Sequence, residues 1–155
     1  MNIKDAMSCF ATGVTVVTTR AHEQDWGLTC SSFNTVSLDP ALVLWSIRRA
    51  SLSHAASVAA PGYVVNVLAL AQQDLAMRFA SGTQAERFAG LDLAREQGMP
   101  RLPAALAWFA CRTVQVVSAG DHDILIGEVQ DFGCQDGEPL VHAQRRFGRL
   151  APHNT

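Results

Sequence analysis

The sequence predicts a mainly β protein with short helices, whose antiparallel strands form a closed or nearly closed barrel. The strand-like runs 107–118 and 123–132 follow each other directly, across a short Ala-Gly-Asp-His connection. Long sequential strands favour antiparallel pairing over a parallel, doubly wound sheet, which needs a crossover helix between strands. The length of 155 residues and the hydrophobic fraction of 48% fit a single domain, 1–155, with a substantial core.

The first half of the chain combines one helical pattern with several β-branched or apolar runs. Ile3, Met7 and Phe10 recur at helical spacing, whereas the β-branched run 14–19 is typical of a strand. Asp39-Pro40 is a turn signal. The predicted elements are a helix over 3–11, a strand over 14–19, a polar turn over 20–26, a strand from Gly27 to about Phe33 and a buried strand over 41–47.

The second half begins with a helix that we expect Ser51 to cap and Pro61-Gly62 to end. Thr83 and Glu86 have the spacing of a capping box, which predicts a short helix. The predicted elements are a helix over 51–60, a strand over 63–68, a helix over 71–80 with an Asp74–Arg78 pair, the short helix after Thr83, a connector over 98–103, the two long strands, a turn at Asp136-Gly137 and an extended stretch over 140–150.

Charge and cysteine content exclude several function classes. The chain has 12 basic and 14 acidic residues, which do not provide the basic surface that nucleic acid or an anionic membrane requires. Cys9, Cys30, Cys111 and Cys134 are scattered without a Cys-x-x-Cys pair, so we expect no metal site. The first residues lack the apolar run of a signal peptide, and no run is long enough to cross a bilayer. We therefore expect a cytoplasmic protein with reduced thiols.

The sequence contains neither Gly-x-Gly-x-x-Gly nor Gly-x-x-x-x-Gly-Lys-Ser/Thr, so a nucleotide phosphate would need another site. The segment 46–54 offers one, because a strand ends there, Arg48 and Arg49 follow, and a helix begins with Ser51 and Ser53. Free N–H groups, hydroxyls and guanidinium groups together favour an anion. The alternative is that Ser51 only caps the helix and that both arginines are solvated.

The segment 27–40 carries an unusual number of hydroxyl groups for a strand with apolar neighbours. A flavin ring needs hydrogen-bond donors at its polar edge and an apolar wall, and such a strand supplies both. The alternative is a strand whose Ser and Thr side chains lie in water. The polar residues in question are Thr29, Ser31, Ser32, Asn34, Thr35 and Ser37.

His122 lies between two carboxylates, Asp121 and Asp123, at the start of a strand. Such a histidine is held in one tautomer or kept protonated, and it then contacts a nicotinamide amide or a pyrophosphate. The alternative is a surface turn with an exposed His122. The arginines of 145–149, which surround Phe147, either clamp phosphates or form a solvated face.

A further set of short segments follows in order along nearly the whole chain. These segments are Phe10–Thr19, Gly27–Pro40 with Leu42–Leu44, Ser53-His54, Tyr63–Leu68, Arg87–Gly90, Gly120-Asp121-His122 with Ile126–Val129, Pro139–Val141 and Arg146–Leu150. Together they resemble the flavin reductase-like family, whose fold is the FMN-binding split barrel.

The resemblance implies a six-stranded antiparallel Greek-key split β-barrel and a homodimer with the flavin near the subunit interface. It also implies that NADH or NADPH transfers a hydride to N5 of FMN or FAD, and that a separate monooxygenase consumes the reduced flavin. Two other functions remain open. One is a flavoprotein that retains FMN as an electron carrier or oxidase, and the other is a non-catalytic flavin-binding module.

Positions carried over from the family give the expected site residues, and His122 is the expected catalytic residue through orientation and charge. The isoalloxazine ring is expected to contact Thr29, Cys30, Ser31 and Ser32. The residues expected at the ribityl chain, the phosphate and the remaining cofactor contacts are Ser46, Ile47, Arg48, Arg49, Ser51, Ser53, His54 and Arg87. The nicotinamide side is expected to comprise His122, Arg146 and Phe147. Trp26, Cys30 and His142 depart from the family's usual residues, which bears on substrate preference.

Overall fold

A computed structural model describes residues 1–152, and strands contain far more of the chain than helices do. The strands are β1 Thr12–Gly13, β2 Thr15–Ala21, β3 Gln24–Cys30, β4 Asn34–Leu38, β5 Ala41–Arg48, β6 Gly62–Val67, β7 Ala94–Glu96, β8 Met99–Arg101, β9 Ala107–Ala119, β10 His122–Cys134, β11 Val141–Ala143 and β12 Arg146–Gly148. The helices are α1 Ile3–Ser8, α2 His54–Ala59, α3 Gln73–Arg78 and α4 Gln84–Phe88, with a 3-10 turn at Leu70–Gln72. In the described part of the chain, no helix has the length and apolar character needed to cross a membrane.

The main sheet has seven strands in the order β3-β2-β6-β9-β10-β5-β4, and all neighbouring strands are antiparallel. The two long strands that the sequence predicts, β9 and β10, pair with each other near the middle of this sheet. A side chain bridges its two halves, because the Ser32 hydroxyl accepts a hydrogen bond from the Ser46 N–H (2.9 Å) and donates one to the Ser46 carbonyl (3.1 Å). The predicted antiparallel barrel is therefore confirmed. The strand number differs from six because 34–38 forms a strand of its own on β5.

The barrel interior is packed around two large aromatic side chains, Trp45 and Tyr63, whose rings meet edge to face at 5.8 Å. The Tyr63 hydroxyl donates a hydrogen bond to the Leu125 carbonyl at 3.1 Å. Burial raises the pKa of Tyr63, and it also raises the pKa of Cys111 to about 12. Both groups are therefore neutral in the core at physiological pH.

Helical side chains cover the outer edge of β3, which would otherwise present unpaired backbone groups. The Gly27 N–H donates to the Gln84 side-chain oxygen (2.9 Å), and the Gly27 carbonyl accepts from Arg87 (2.7 Å). Two residues further, the Thr29 N–H donates to the Phe79 carbonyl at 3.1 Å. The helical layer thus takes the place of a further strand along this edge.

The predicted turn over 20–26 is too long. His22 and Glu23 alone turn the chain, with φ of 54° and 60°, and β3 already begins at Gln24. The residues of this exposed part of the hairpin are mostly polar, so they lack the alternation of apolar and polar residues that predicts a strand. Helix 3–11 likewise ends at Ser8.

Helix 51–60 begins at His54 rather than after Ser51. Ser53 occupies the cap position, and the Ser51 hydroxyl accepts from the Ser53 N–H (3.2 Å) within the preceding turn. The predicted Asp74–Arg78 pair does not form within residues 1–152, because Arg78 donates to the carbonyls of Glu86 and Ala89 instead. The capping box of Thr83 and Glu86 is present as predicted.

Gly62 provides a test of the packing between β6 and β9. A Cβ atom at this position would lie 2.1 Å from the Cys111 carbonyl oxygen, which belongs to the backbone of the neighbouring strand. We expect Gly62→Ala to lower the free energy of unfolding by about 1–3 kcal/mol, measured by urea denaturation. Gly148→Ala is the control, since no atom lies within 4 Å of its added Cβ. Equal stability of the two variants would contradict this packing.

Candidate functional site

A cleft of about 520 Å³ lies between the end of β3 and the end of β5. It brings together most of the residues expected at the flavin ring and phosphate, together with His122. Its lining residues are Leu28, Thr29, Cys30, Ser31, Ser32, Ser46, Ile47, Arg48, Ala50, Ser51 and His122. Leu28 and Ala50 are additions to the expected set, and their small or apolar side chains carried no chemical signal in the sequence.

The strand wall of the cleft uses most of its side-chain hydroxyls within the protein. Thr29 donates to the Ala76 carbonyl at 2.6 Å, and Ser32 bridges to the backbone of Ser46. Within residues 1–152, by contrast, the backbone N–H groups of Ser31 and Ser32 donate no hydrogen bond. This wall therefore fits a ligand whose polar edge accepts hydrogen bonds from the backbone, as a flavin ring does.

The opposite wall is set by the pairing of β5 with β10. Arg48 lies opposite His122 in this register, so the two side chains are neighbours at the same end of the sheet. Arg48 is exposed, and its guanidinium makes no ion pair with any residue of the described part. A free guanidinium that lines the same cleft as Ser51 fits the anionic end of a ligand.

Asp121 orients the ring of His122. The Nδ1 atom of His122 lies 2.7 Å from the Asp121 carboxylate, and this hydrogen bond holds the pKa of Asp121 below its ordinary value. The Nε2 atom of His122 has no hydrogen-bond partner in residues 1–152. The ring is thus fixed through one nitrogen and offers the other to a ligand.

Asp123 binds two residues that were expected at the phosphate. Its carboxylate lies 2.7 Å from Nε2 of His54 and 3.1 Å from Nη2 of Arg49. These contacts, His54 first, hold the pKa of Asp123 below its ordinary value. The structure therefore does not bring Arg49 and His54 into the cleft lining, because their side chains bind a carboxylate of the protein itself.

Ser53 and Arg87 also stand behind the cleft wall rather than in it. Ser53 is buried, and its hydroxyl accepts a hydrogen bond from the Gln84 side chain at 3.2 Å. Arg87 donates to the carbonyls of Gly27 and Ser81, and partial burial lowers the pKa of its guanidinium. Both residues support the strand and the turn that form the walls.

A second, mostly apolar cleft of about 400 Å³ adjoins the first and shares three wall residues with it. The rings of His142 and Phe147 lie 5.1 Å apart along one side. Arg146 is exposed and binds the Gln144 side chain at 3.3 Å, so it does not join Phe147 there. The lining residues are Val14, Thr29, Cys30, Ser31, Ala76, Met77, Ala80, Ser81, His142 and Phe147.

Sequence reasoning did not assign the α3 side of this second cleft. Ala80 follows Ala76 and Met77 by about one helical turn, and that spacing signals a contacting face without naming the contact. In the described residues, no group of three or more His, Cys, Asp or Glu side chains is arranged to hold a metal ion.

Known proteins resemble this chain over nearly its whole length. The family model described as "Flavin reductase like domain" matches residues 7–151. The FMN reductase (NADH) SmoA of Agrobacterium fabrum is 40% identical over 151 residues, covering 97% of this chain and 86% of the relative.

One further sequence relative and one solved structure are also similar to this chain. The reductase component of the flavin-dependent trigonelline monooxygenase of Acinetobacter baylyi is 45% identical over 84% of this chain, which spans only 42% of that protein. The NADH:FAD oxidoreductase SgcE6 of Streptomyces globisporus, solved with NAD and FAD fragments, superimposes with a TM-score of 0.91. That match has 33% identity and covers 97% of this chain and 92% of the other.

The contacts of Asp123 predict a pH dependence of stability. Because the folded pKa lies below the ordinary value of 3.8, the contribution is present above that value and is lost as the pH falls through the folded pKa. We expect Asp123→Asn to be less stable than the wild type at neutral pH, with a difference that shrinks below about pH 3.8. Urea denaturation across this pH range measures the difference.

Asp136→Asn is the matched control, since Asp136 is exposed in the bend after β10. It should follow the wild-type stability at every pH. A difference between Asp123→Asn and the wild type that stays constant down to about pH 3 would contradict the assigned role of the Asp123 carboxylate.

Proposed function

The chain belongs to the flavin reductase-like family, and we propose that its two adjoining clefts hold the two rings that react in flavin reduction. Its reaction is the reduction of a flavin, FMN or FAD, by a nicotinamide nucleotide. The observation that carries the assignment is the wall shared by both clefts, Thr29, Cys30 and Ser31. A wall common to two adjoining clefts, of which the second is mostly apolar, favours side-by-side binding of two different rings.

The flavin occupies the cleft between β3 and β5 in this proposal. The free N–H groups of Ser31 and Ser32 bind the polar edge of the ring, while Leu28 provides apolar contact. Arg48 and Ser51 bind the phosphate. When bound, the flavin supplies the chemistry by accepting a hydride at N5, and the protein aligns the reactants.

The nicotinamide occupies the apolar cleft, with Phe147 and His142 along its side. His122 lies at the edge of the flavin cleft and contacts the nicotinamide nucleotide through its free Nε2 atom. Asp121 keeps the His122 ring in place for this contact. Arg146 is exposed close to Phe147 and remains available to an outer part of the nucleotide.

The reduced flavin is passed to a separate monooxygenase. The trigonelline relative is named as the reductase component of a flavin-dependent monooxygenase, which supports this pairing. The cytoplasm is the proposed compartment, since all four cysteines are free and thiols stay reduced there.

The protein works as a homodimer in this proposal. Helix α1 buries none of its residues. Met7 of this helix and Phe10, two residues beyond its end, border a cleft shared with Ser31 and Ser32. Leu38 and Phe132 are largely exposed on a second apolar groove of about 250 Å³. A second copy that covers these apolar surfaces would lie close to the flavin cleft.

The first test is NADH oxidation by the purified protein with FMN, FAD or riboflavin added in turn. Turnover that depends on added flavin is expected, and its absence would overturn the proposal. Under saturating flavin, His122→Ala should raise KM for NADH about tenfold, because a hydrogen bond to a charged group is worth roughly 1.5 kcal/mol or more.

Gln130→Ala on the same strand is the control, since Gln130 is exposed far from the cleft. It should leave both kinetic constants at the wild-type values. Unchanged KM and kcat in His122→Ala would remove His122 from the site.

The dimer is tested by placing a charge on its apolar groove. Leu38→Asp should raise the dimer dissociation constant by about tenfold or more, because an unpaired carboxylate is costly to bury. Sedimentation velocity across a dilution series measures the constant. Leu52→Asp is the matched control, because Leu52 is as exposed as Leu38 but lies on the turn before α2. A Leu38→Asp protein that dimerises as the wild type does would contradict this interface.

A further inference from the structure

The side-chain amide of Gln84 links the two walls of the flavin cleft without lining the cleft itself. Its oxygen accepts the Gly27 N–H at 2.9 Å, and its nitrogen donates to the Ser53 hydroxyl at 3.2 Å. Gly27 and Ser53 are both buried. One amide group therefore satisfies a backbone donor of β3 and a hydroxyl at the start of α2.

Each partner of Gln84 is directly connected to a cleft wall. Gly27 precedes Leu28, the first residue of the strand wall. On the other side, the Ser53 N–H donates to the hydroxyl of Ser51, which lines the opposite wall, at 3.2 Å. The path from one wall to the other thus runs through Gln84, Ser53 and three hydrogen bonds.

Gln84 is held on a rigid support. Helix α4 begins with the capping box of Thr83 and Glu86, and Phe88 packs edge to face on Phe79 at 5.0 Å. Arg87 adds its own hydrogen bond to the Gly27 carbonyl. The bridge from Ser32 to Ser46 fixes the walls elsewhere, so Gln84 is a second, separate link between them.

We propose that Gln84 is a positioning residue for the flavin phosphate, because it sets the separation between the wall that binds the ring and the wall that binds the phosphate. The inference rests on the proposed function, in which Ser31 and Ser32 bind the ring, and Arg48 and Ser51 bind the phosphate. A flavin with a phosphate spans both walls. Riboflavin has no phosphate, so its binding depends mainly on the wall that binds the ring.

The test compares FMN and riboflavin as substrates of two variants. Gln84→Ala removes the link, and Gln84→Met removes its hydrogen bonds while keeping the side-chain volume. In both variants, KM for FMN should rise about tenfold, equivalent to about 1.4 kcal/mol. KM for riboflavin should change by less than about twofold, and kcat at saturating FMN should stay within about twofold. If Gln84→Ala fails to fold, Gln84→Met carries the test alone.

Gln72→Ala is the matched control for a purely structural effect. The Gln72 amide makes an equivalent bridge, accepting the Ala69 N–H at 3.0 Å and donating to the Pro103 carbonyl at 2.8 Å. It lines neither of the two clefts. Gln72→Ala should lower the thermal midpoint yet leave the ratio of the two KM values unchanged.

The possible results distinguish a failure of the role of Gln84 from a failure of the proposed phosphate site. A wild-type protein with equal KM for FMN and riboflavin would overturn the phosphate assignment to Arg48 and Ser51, and the role of Gln84 with it. A wild-type preference for FMN that both Gln84 variants retain would overturn the role of Gln84 alone. An equal change in the ratio of the KM values for FMN and riboflavin in Gln72→Ala would also overturn the role of Gln84. The change would then result from lower protein stability in general.

Discussion

The register of β5 on β10 is the constraint on which the candidate site depends. Val43, Trp45 and Ile47 are buried, and they alternate with less buried neighbours along β5. A slip of one residue would expose all three side chains, so the packing of the core fixes the pairing. The same pairing fixes Arg48 opposite His122. The position of Arg48 beside His122 is thus a consequence of how the core is packed.

That register also gives different partners to Asp121 and Asp123, the two carboxylates on either side of His122. Asp121 binds His122 at the rim, while Asp123, opposite Ile47, binds Arg49 and His54 beneath the turn before α2. Two buried or half-buried contacts to one carboxylate set the path of that turn, and the path presents the Ser51 hydroxyl to the cleft. Asp123 therefore supports the wall that carries Arg48 and Ser51 from behind, without lining the cleft itself.

The sequence located the long strands and most of the cleft lining, but not the short strands β4, β7 and β8 or the partner of each side chain. The hydroxyl-rich segment and the end of β5 meet at one cleft. The local pattern was enough to place Thr29 and Arg48 on these two strands, with Ser31 directly after β3. Arg49 and His54 lie in the same short segment, yet they turn to Asp123, some seventy residues along the chain. Side-chain partners at such separation depend on the register of the sheet, which alternation within one strand does not specify.

Most side-chain hydroxyls of the segment 29–32 form hydrogen bonds within the protein. Thr29 and Ser32 use theirs on the protein backbone, whereas the backbone N–H groups of Ser31 and Ser32 donate no hydrogen bond within residues 1–152. Backbone donors on a braced strand are fixed in direction, so they bind a rigid planar ring without further ordering. On the proposed assignment, every flavin presents the same ring to this wall. Discrimination among flavins then depends on the opposite wall, where Arg48 and Ser51 are placed by β10 on one side and, through Ser53, by Gln84 on the other.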